Sequence, residues 1–184
     1  MNKAIFLDRD GTINKDEGYT YKIEDLEFID SAIEGLRRMQ NKGYSLIIVT
    51  NQSGIAQGRF KEKDYLMFRN EMHNQLREYG ITIDKEYFCP HHPEKGFNGE
   101  VVELKIDCKC RKPKTGMLEQ AAKDFNLDLK KCWMIGDKEI DVLTGKNAGC
   151  RTIQVLTGKE KTECNKADFI AYNLVHASYF ILSQ

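Results

Sequence analysis

Residues 4–12 read AIFLDRDGT, in which four apolar residues are followed at once by two carboxylates, one residue apart, and a glycine. A short apolar run that ends in a turn signal is typical of a strand buried on both faces of a parallel sheet. Asp8 would then lie at the carboxyl end of that strand, the edge at which open α/β sheets bind their ligands. A lone Asp-Gly pair would indicate only a turn. The second carboxylate, Asp10, therefore points to a functional site.

Predicted strands and helices alternate along the rest of the chain. Apolar or β-branched runs predict further strands at 44–49, 86–88, 132–137 and 151–156, and an edge strand at 168–173. Apolar residues spaced three and four apart, with glycine stops, predict helices at 31–42, 61–79, about 115–125, from 138 through 148, and at 174–182. This alternation predicts an α/β fold, a doubly wound parallel sheet covered on both faces. At 184 residues we expect one domain spanning residues 1–184.

Charge and composition restrict the partners. Lys plus Arg and Asp plus Glu both number 28, so nothing in the total favours a nucleic-acid or membrane-surface partner. No stretch approaches the roughly 20 apolar residues that a bilayer span needs, and the amino terminus lacks the pattern of a secretory signal. We therefore expect a cytoplasmic monomer without nucleic-acid or membrane partners. In such a protein, six cysteines favour reduced or metal-bound thiols over disulfides.

Polar residues recur where the predicted strands end. They are Asp8, Asp10, Thr50, Asn51 and Asp137. Carboxylates brought together raise one another's pKa and cost folding free energy, so we expect a cation among them. Three acids suit Mg²⁺, which takes one or two carboxylates together with substrate phosphate oxygens. With Thr50 and Lys112 as donors to a phosphoryl group, this edge of the sheet predicts a phosphoryl-transfer site.

Four motifs carry a family resemblance. DRDGT (8–12), VTNQSG (49–54), CRKP (110–113) and GDKEID (136–141), in this order, resemble the motifs of haloacid dehalogenase-like phosphatases, and the match runs from Ile5 to about Gly158. More narrowly, DRDGTIN, TNQSGIAQGRF and CPHHP resemble the heptose bisphosphate phosphatase branch, with the histidinol-phosphate phosphatases as the nearest relatives. The resemblance implies a Rossmann-like fold and Mg²⁺-dependent hydrolysis of a small sugar bisphosphate, in the synthesis of nucleotide-activated heptose for lipopolysaccharide or surface glycans. Because no cap domain fits between the motifs, we expect a minimal cap made of loops.

The resemblance also implies roles for individual residues. Asp8 would attack phosphorus and form an aspartyl phosphate, while Asp10 would act as general acid and then as general base. Mg²⁺ would be held by the Asp8 carboxylate, the Asp10 main-chain carbonyl and Asp137. Thr50 and Lys112 would hold the transferring phosphoryl group.

Other residues are predicted to contact the substrate or to support the site. The substrate contacts are Asp16, Glu17, Gly18, Tyr19, Asn51, Gln52, Ser53, Arg111 and Lys138. Arg9, Asn14 and Asp141 are interpreted as structural residues. Alternative interpretations remain for two catalytic candidates: Asp137 as a helix N-cap, and Lys112 as a surface lysine.

Two cysteine-bearing segments predict a second metal site. Cys89, His91, Cys108 and Cys110 form two pairs with i, i+2 spacing, which in extended chain point the same way and can close a tetrahedral Cys₃His zinc site. His92 is an alternative to His91. Such a closed site is structural, and it would order the inserted loop 89–110. The other cysteines, Cys132, Cys150 and Cys164, have no such spacing and are predicted to be core or surface thiols.

Two non-enzymatic readings compete with the phosphatase. A phospho-receiver signalling domain also has aspartates, a threonine and a lysine at the edge of a parallel sheet, but it has no use for Asp10 as an acid and base. A zinc-loop interaction module with a degenerate site is the other alternative.

Overall fold

The computed structural model describes residues 3–159 and 161–184, which are built around a six-stranded sheet. The strands are β1 Ala4–Leu7, β2 Ser45–Asn51, β3 Lys85–Cys89, β4 Trp133–Gly136, β5 Arg151–Val155 and β6 Phe169–Ala171. They lie in the order β3-β2-β1-β4-β5-β6, each parallel to its neighbours. The chain runs outward from β1 to β3 and then crosses back to pair β4 with the other side of β1. The carboxyl ends of β1 and β4 therefore flank the topological switch point, where such sheets bind ligands.

Within the described residues, five helices cover the two faces of this sheet. They are α1 Ala32–Asn41, α2 Glu62–Glu78, α3 Gly116–Asp124, α4 Glu139–Ala148 and α5 Leu174–Leu182. Side chains alternate across a strand, so β1 contributes to two separate cores. Ile5 and Leu7 belong to the core under α1, α2 and α5, whereas Ala4 and Phe6 belong to the core under α3 and the end of α4. The predicted doubly wound parallel sheet is confirmed.

The helix ends follow the predicted stop signals. Gly43 and Gly80 come shortly after α1 and α2 and have φ angles of +80° and +74°. This left-handed backbone is easily adopted by glycine and not by residues with a Cβ, so it ends the helices at these points. All eleven elements that the sequence predicts are present within a few residues of their expected bounds.

Loops alone cover the carboxyl edge of the sheet in the part of the chain that is described. Between β1 and α1 the regular structure is limited to a 3₁₀ turn at Ile23–Asp25, and between β3 and α3 to one at Val102–Leu104. A third small core, made by Ile55, Phe60 and Tyr65, supports these loops from below. The described helices include none that is long and apolar enough to cross a membrane.

Candidate active site

A cleft of about 290 Å³ opens at the carboxyl edge of the sheet, beside the switch point. The predicted site residues that line it are Asp8, Asp10, Asp16, Gly18, Tyr19, Thr50, Asn51, Gln52, Ser53, Lys112 and Lys138. Two predicted substrate contacts lie elsewhere. Glu17 lines a neighbouring depression. Arg111 is turned towards the loop 89–110, where its Nη1 donates to the His91 carbonyl at 3.2 Å.

Three carboxylates converge beneath the cleft. Asp8, Asp137 and Asp141 each have an oxygen within 4.8 Å of the others. Asp137 is fully buried, and within the described residues neither of its carboxylate oxygens has a hydrogen-bond partner. Burial and the adjacent Asp8 carboxylate raise the pKa of Asp137 to about 8. A buried carboxylate without donors is unfavourable unless a cation neutralises it, so this donor set fits a hard divalent ion.

Lys112 lies inside the site, which excludes its reading as a surface lysine. Its side chain is 2% exposed, and Nζ contacts Asp8 Oδ1 at 2.8 Å and Asp141 Oδ1 at 2.6 Å. Nζ also donates to the Val49 carbonyl at 2.9 Å. Burial opposes the charged form, but the carboxylates of Asp141 and Asp8 raise the pKa of Lys112 above its ordinary value. The nucleophile candidate therefore has a fixed positive charge beside it.

Asp141, interpreted from the sequence as a structural residue, makes two contacts beside the site. Its Oδ2 accepts from the Lys138 backbone N–H at 3.2 Å, which caps the start of α4. That cap belongs to Asp141 and not to Asp137, so the N-cap reading of Asp137 is excluded. The other oxygen of Asp141, Oδ1, accepts from Lys112 Nζ at 2.6 Å.

Donors surround the Asp10 carboxylate on several sides. Arg9 donates from Nε to Oδ1 at 3.0 Å and from Nη2 to Oδ2 at 2.8 Å. Asn14 Nδ2 donates to Oδ1 at 2.9 Å, and Gln52 Nε2 to Oδ2 at 3.2 Å. Gln52 also donates to Thr50 Oγ1 at 2.9 Å. Arg9 and Asn14, interpreted from sequence as structural, thus hold a residue of the site, and Gln52 joins Asp10 to Thr50.

The walls of the cleft are held by contacts that the sequence does not reveal. The side-chain amide of Asn51 forms two hydrogen bonds with the Lys112 backbone. Its Oδ1 accepts from the N–H at 3.0 Å, and its Nδ2 donates to the carbonyl at 3.2 Å. Lys138 Nζ bonds Asp16 Oδ2 at 3.0 Å across the opposite wall. Tyr19 has a φ of +56°, uncommon for a residue with a side chain, and its hydroxyl bonds Gln57 Oε1 at 2.6 Å.

The predicted zinc ligands come together at the end of β3. Cys89 Sγ lies 3.4 Å from Cys108 Sγ, 3.2 Å from Cys110 Sγ and 3.6 Å from His91 Nδ1. Ligands at Zn–S distances of about 2.3 Å are separated by about 3.8 Å along the edges of a tetrahedron, close to these spacings. His92 is instead directed to the Glu94 carbonyl and the Phe97 ring. The geometry therefore favours His91 over His92, while Cys132, Cys150 and Cys164 are buried outside this cluster.

Comparisons with known proteins agree on the family of this chain. A family described as HAD-hydrolase-like matches residues 109–177. The D-glycero-beta-D-manno-heptose-1,7-bisphosphate 7-phosphatase of Pasteurella multocida is 48% identical over 90% of this chain and 88% of its own length. A protein of Photorhabdus laumondii, named for the alpha anomer of the same substrate, is 42% identical over 97% of this chain and 96% of its own.

A solved structure extends the agreement to the fold. The D,D-heptose 1,7-bisphosphate phosphatase of B. bronchiseptica, complexed with magnesium and phosphate, superposes with a TM-score of 0.84 and 26% identity, covering 100% of this chain and 99% of that one. The resemblance in the motifs is thereby confirmed, and these relatives give no support to a receiver domain. The chain belongs to the D-glycero-D-manno-heptose-1,7-bisphosphate 7-phosphatases, a group of haloacid dehalogenase-like phosphatases.

Proposed function

We propose that the protein removes the 7-phosphate of D-glycero-D-manno-heptose 1,7-bisphosphate through an aspartyl-phosphate intermediate. The observation that carries this proposal is the contact of Asp8 with buried Lys112 at the floor of an open cleft, beside an Asp137 carboxylate that has no hydrogen-bond partner among the described residues. The names of relatives 42–48% identical to this chain supply the substrate. The product keeps its 1-phosphate, which suits it to nucleotide activation for lipopolysaccharide or surface-glycan synthesis.

In the first half of the reaction, Asp8 is the nucleophile. Lys112 fixes Asp8 Oδ1, which leaves Oδ2 to attack phosphorus in line with the departing sugar oxygen. As the bond from phosphorus to that oxygen breaks, Asp10 gives it a proton and releases a neutral hydroxyl. Lys112 and the Thr50 hydroxyl stabilise the charge on the equatorial phosphoryl oxygens.

In the second half, water replaces the sugar. Asp10, now a carboxylate, takes a proton from the attacking water, and the bond between phosphorus and Asp8 breaks to release inorganic phosphate. Arg9, Asn14 and Gln52 keep the Asp10 oxygens in one orientation through both steps. That orientation matters because proton transfer requires hydrogen-bond distance to the reacting oxygen.

A magnesium ion fits the carboxylates of Asp8 and Asp137, which have oxygens within 4.8 Å of each other. The Asp10 main-chain carbonyl would be a third ligand, as the family resemblance implies. When bound, it would neutralise the carboxylates and polarise the phosphoryl group. Three clustered acids share buried Lys112 and half-buried Lys138, so without a further cation the site repels a phosphate dianion. Zinc fits Cys89, His91, Cys108 and Cys110, a closed donor set without an open position for catalysis.

We extend the proposal to a single domain over residues 1–184 and to a cytoplasmic monomer. One continuous sheet contributes the ends of β1, β2 and β4 to the cleft, so one copy of the chain supplies every residue that the mechanism uses.

The walls around Asp137 provide a test of its role in metal binding. A Cβ added at Gly158 would lie 1.9 Å from Asp137 Oδ2. Gly158→Ala should therefore push the carboxylate aside and raise the Mg²⁺ concentration for half-maximal activity about tenfold or more. Mg²⁺ titration of phosphate release measures this. Gly35→Ala is the matched control, since its Cβ would meet the Leu174 backbone at 2.6 Å, away from the site, and should lower stability without changing the Mg²⁺ dependence.

Substrate preference tests the function itself. We expect kcat/KM for heptose 1,7-bisphosphate to exceed that for histidinol phosphate at least about tenfold, because a site built around hydrogen bonds to a sugar discriminates strongly against a ligand that lacks them. Phosphate release gives the rates, and NMR of the product identifies the phosphate removed. Both anomers belong in the assay, since relatives named for each match this chain. A higher kcat/KM for histidinol phosphate would reverse the assignment.

A further inference from the structure

One residue on the wall of the cleft has a backbone conformation that a side chain disfavours. Tyr19 has a φ of +56°, and Gly18 before it has a φ of +82°. Glycine adopts this left-handed region freely, whereas a tyrosine there costs free energy and persists only where its surroundings hold it. Residues held in this way cluster at ligand sites, and Tyr19 lines the cleft. The side chains that hold Tyr19 therefore help to shape the site.

The side chain of Tyr19 is held by residues 53–60, which follow β2. Its hydroxyl bonds Gln57 Oε1 at 2.6 Å, and Arg59 Cζ lies 5.6 Å from the centre of its ring. The ring also lies close to Gly54, where an added Cβ would be 2.7 Å from Tyr19 Cδ1. Gln57 itself is only 4% exposed. Of these contacts, the hydrogen bond to Gln57 is the most directional, so it fixes where the ring lies.

The backbone beside Gln57 is fixed by the loop 89–110. The Ala56 N–H donates to the Pro90 carbonyl at 3.2 Å, and the Ala56 carbonyl accepts from the Val101 N–H at 3.0 Å. These two bonds use both hydrogen-bonding groups of the Ala56 main chain. Gln57 therefore has a fixed position from which its side chain reaches the wall of the cleft.

The loop that carries Tyr19 is held separately at its two ends. Asp16 bonds Lys138 Nζ at 3.0 Å, and the Thr20 carbonyl accepts from Arg9 Nη2 at 2.6 Å. Between these ends, the hydroxyl of Tyr19 holds the tip of the loop. Loss of the hydroxyl contact would leave both ends in place and release only the tip.

We propose that Gln57 is a positioning residue for substrate binding: it keeps the Tyr19 ring on the wall of the cleft, where the ring contacts the sugar. This role rests on the proposed function, because it requires a sugar bisphosphate as the substrate. The catalytic residues at the floor hold the transferring phosphoryl group, so selection of the sugar depends on the walls. A tyrosine ring offers a large apolar face to such a ligand. Binding weakens in proportion to the fraction of molecules in which the ring is out of place.

The variant Gln57→Met removes the hydrogen bond and keeps the length of the side chain. We expect KM for heptose 1,7-bisphosphate to rise about fivefold, the effect of one ordinary hydrogen bond, with kcat changed less than about twofold. Acetyl phosphate is the second substrate, because its small leaving group does not fill the cleft as a heptose does. Its KM should change less than about twofold. Phosphate release, corrected for spontaneous hydrolysis, measures both.

The variant Tyr19→Phe breaks the same bond from its other end, and it keeps the test available if Gln57→Met does not fold. Its side chain is 45% exposed, so the fold does not depend on the hydroxyl. It should raise KM for the sugar bisphosphate by a similar factor. The double variant should be no worse than either single one, because two changes that break one contact are not additive.

A matched control is present on β3. Tyr87 donates to Asp124 at 2.6 Å, a hydroxyl bond of the same length as that of Tyr19. Neither Tyr87 nor Asp124 lines the cleft. Tyr87→Phe should therefore leave KM and kcat unchanged for both substrates.

The outcomes separate the role of Gln57 from the function on which it rests. A wild-type enzyme that does not hydrolyse the sugar bisphosphate overturns the proposed function. With an active wild type, three results would overturn the role of Gln57. They are an unchanged KM for the sugar in both single variants, an equal rise in KM for both substrates, and a double variant whose effect is the product of the single ones.

Discussion

Replacing Asp8 with asparagine is expected to lower kcat for the sugar bisphosphate at least about a thousandfold, because the amide has the shape of the carboxylate but is not a nucleophile. The loss should extend to p-nitrophenyl phosphate, since a better leaving group does not replace the attacking oxygen. Phosphate release under saturating Mg²⁺ measures the first effect, and p-nitrophenol absorbance measures the second.

The same variant should remain folded. Asp8 lies against Asp137 and Asp141, and its charge contributes to the raised pKa of both. Asparagine removes that repulsion, while its carbonyl oxygen still accepts from Lys112. Without added Mg²⁺, the unfolding temperature of Asp8→Asn should therefore be no lower than that of the wild type. Asp25→Asn, the same change at an exposed position, is the activity control. Unchanged sugar-phosphate turnover by the Asp8 variant would contradict the nucleophile assignment.

The parts of the site that the sequence predicts are those fixed by strand ends. Asp8, Thr50 and Asp137 each follow a short apolar run, and parallel strands bring their carboxyl ends to one edge of the sheet. Their convergence therefore follows from the fold class, which the alternation of strands and helices already indicates. The zinc cysteines are predictable for a similar reason, because i, i+2 pairs in extended chain share one side.

Side-chain direction outside regular structure is less predictable. Arg111 and Lys112 are adjacent in sequence. The side chain of Lys112 reaches the Asp141 carboxylate, whereas that of Arg111 donates to the His91 carbonyl. The local sequence CRKP does not show which of these two side chains enters the site. The backbone at Lys112 is held by two hydrogen bonds to the side-chain amide of Asn51. Contacts of this kind join residues 61 positions apart and leave no local pattern.

The contact between His73 on α2 and buried Glu86 on β3 was missed for a different reason. Helical periodicity predicts which face of α2 is buried, and His73 lies off the main apolar stripe. A polar side chain at the margin of a helix can still reach a buried partner on a neighbouring strand, as His73 does with Glu86. Periodicity therefore predicts burial better than it predicts partners.

Loss of the zinc ligands should lower stability and activity together, and this is the second large effect that we expect. The segment 90–115 contains no described helix or strand beyond the turn at Val102–Leu104, so it has few backbone contacts of its own to hold its shape. Burial raises the pKa of the Cys89 thiol and so disfavours its thiolate form. A bound cation would reverse this effect by stabilising the thiolate. Cys110→Ser should lower the unfolding temperature by on the order of 10 °C, equivalent to a few kcal/mol for a protein of this size.

Activity should also fall, because the zinc ligands are connected to active-site residues through the backbone. Cys110 is two residues before Lys112, and Cys89 ends β3 with its carbonyl accepting from the Gln52 backbone N–H at 2.8 Å. Freeing Cys110 would therefore loosen Lys112, and freeing Cys89 would loosen Gln52, which holds Asp10. We expect kcat for the sugar bisphosphate to fall at least about tenfold in Cys110→Ser, without recovery in excess Mg²⁺, because the ion cannot restore the position of Lys112.

Metal analysis tests whether the protein binds zinc at the predicted site. Protein purified without chelator should carry about one zinc per chain, the stoichiometry that a single Cys₃His site requires. Cys110→Ser and Cys108→Ser should carry much less. Cys164→Ser is the control, since that buried thiol lies outside the cluster and its replacement should leave both the zinc content and the Mg²⁺-dependent rate intact. A preparation free of zinc but fully active would contradict the site, because three thiols and an imidazole within 4.8 Å of one another would then order the loop without a metal.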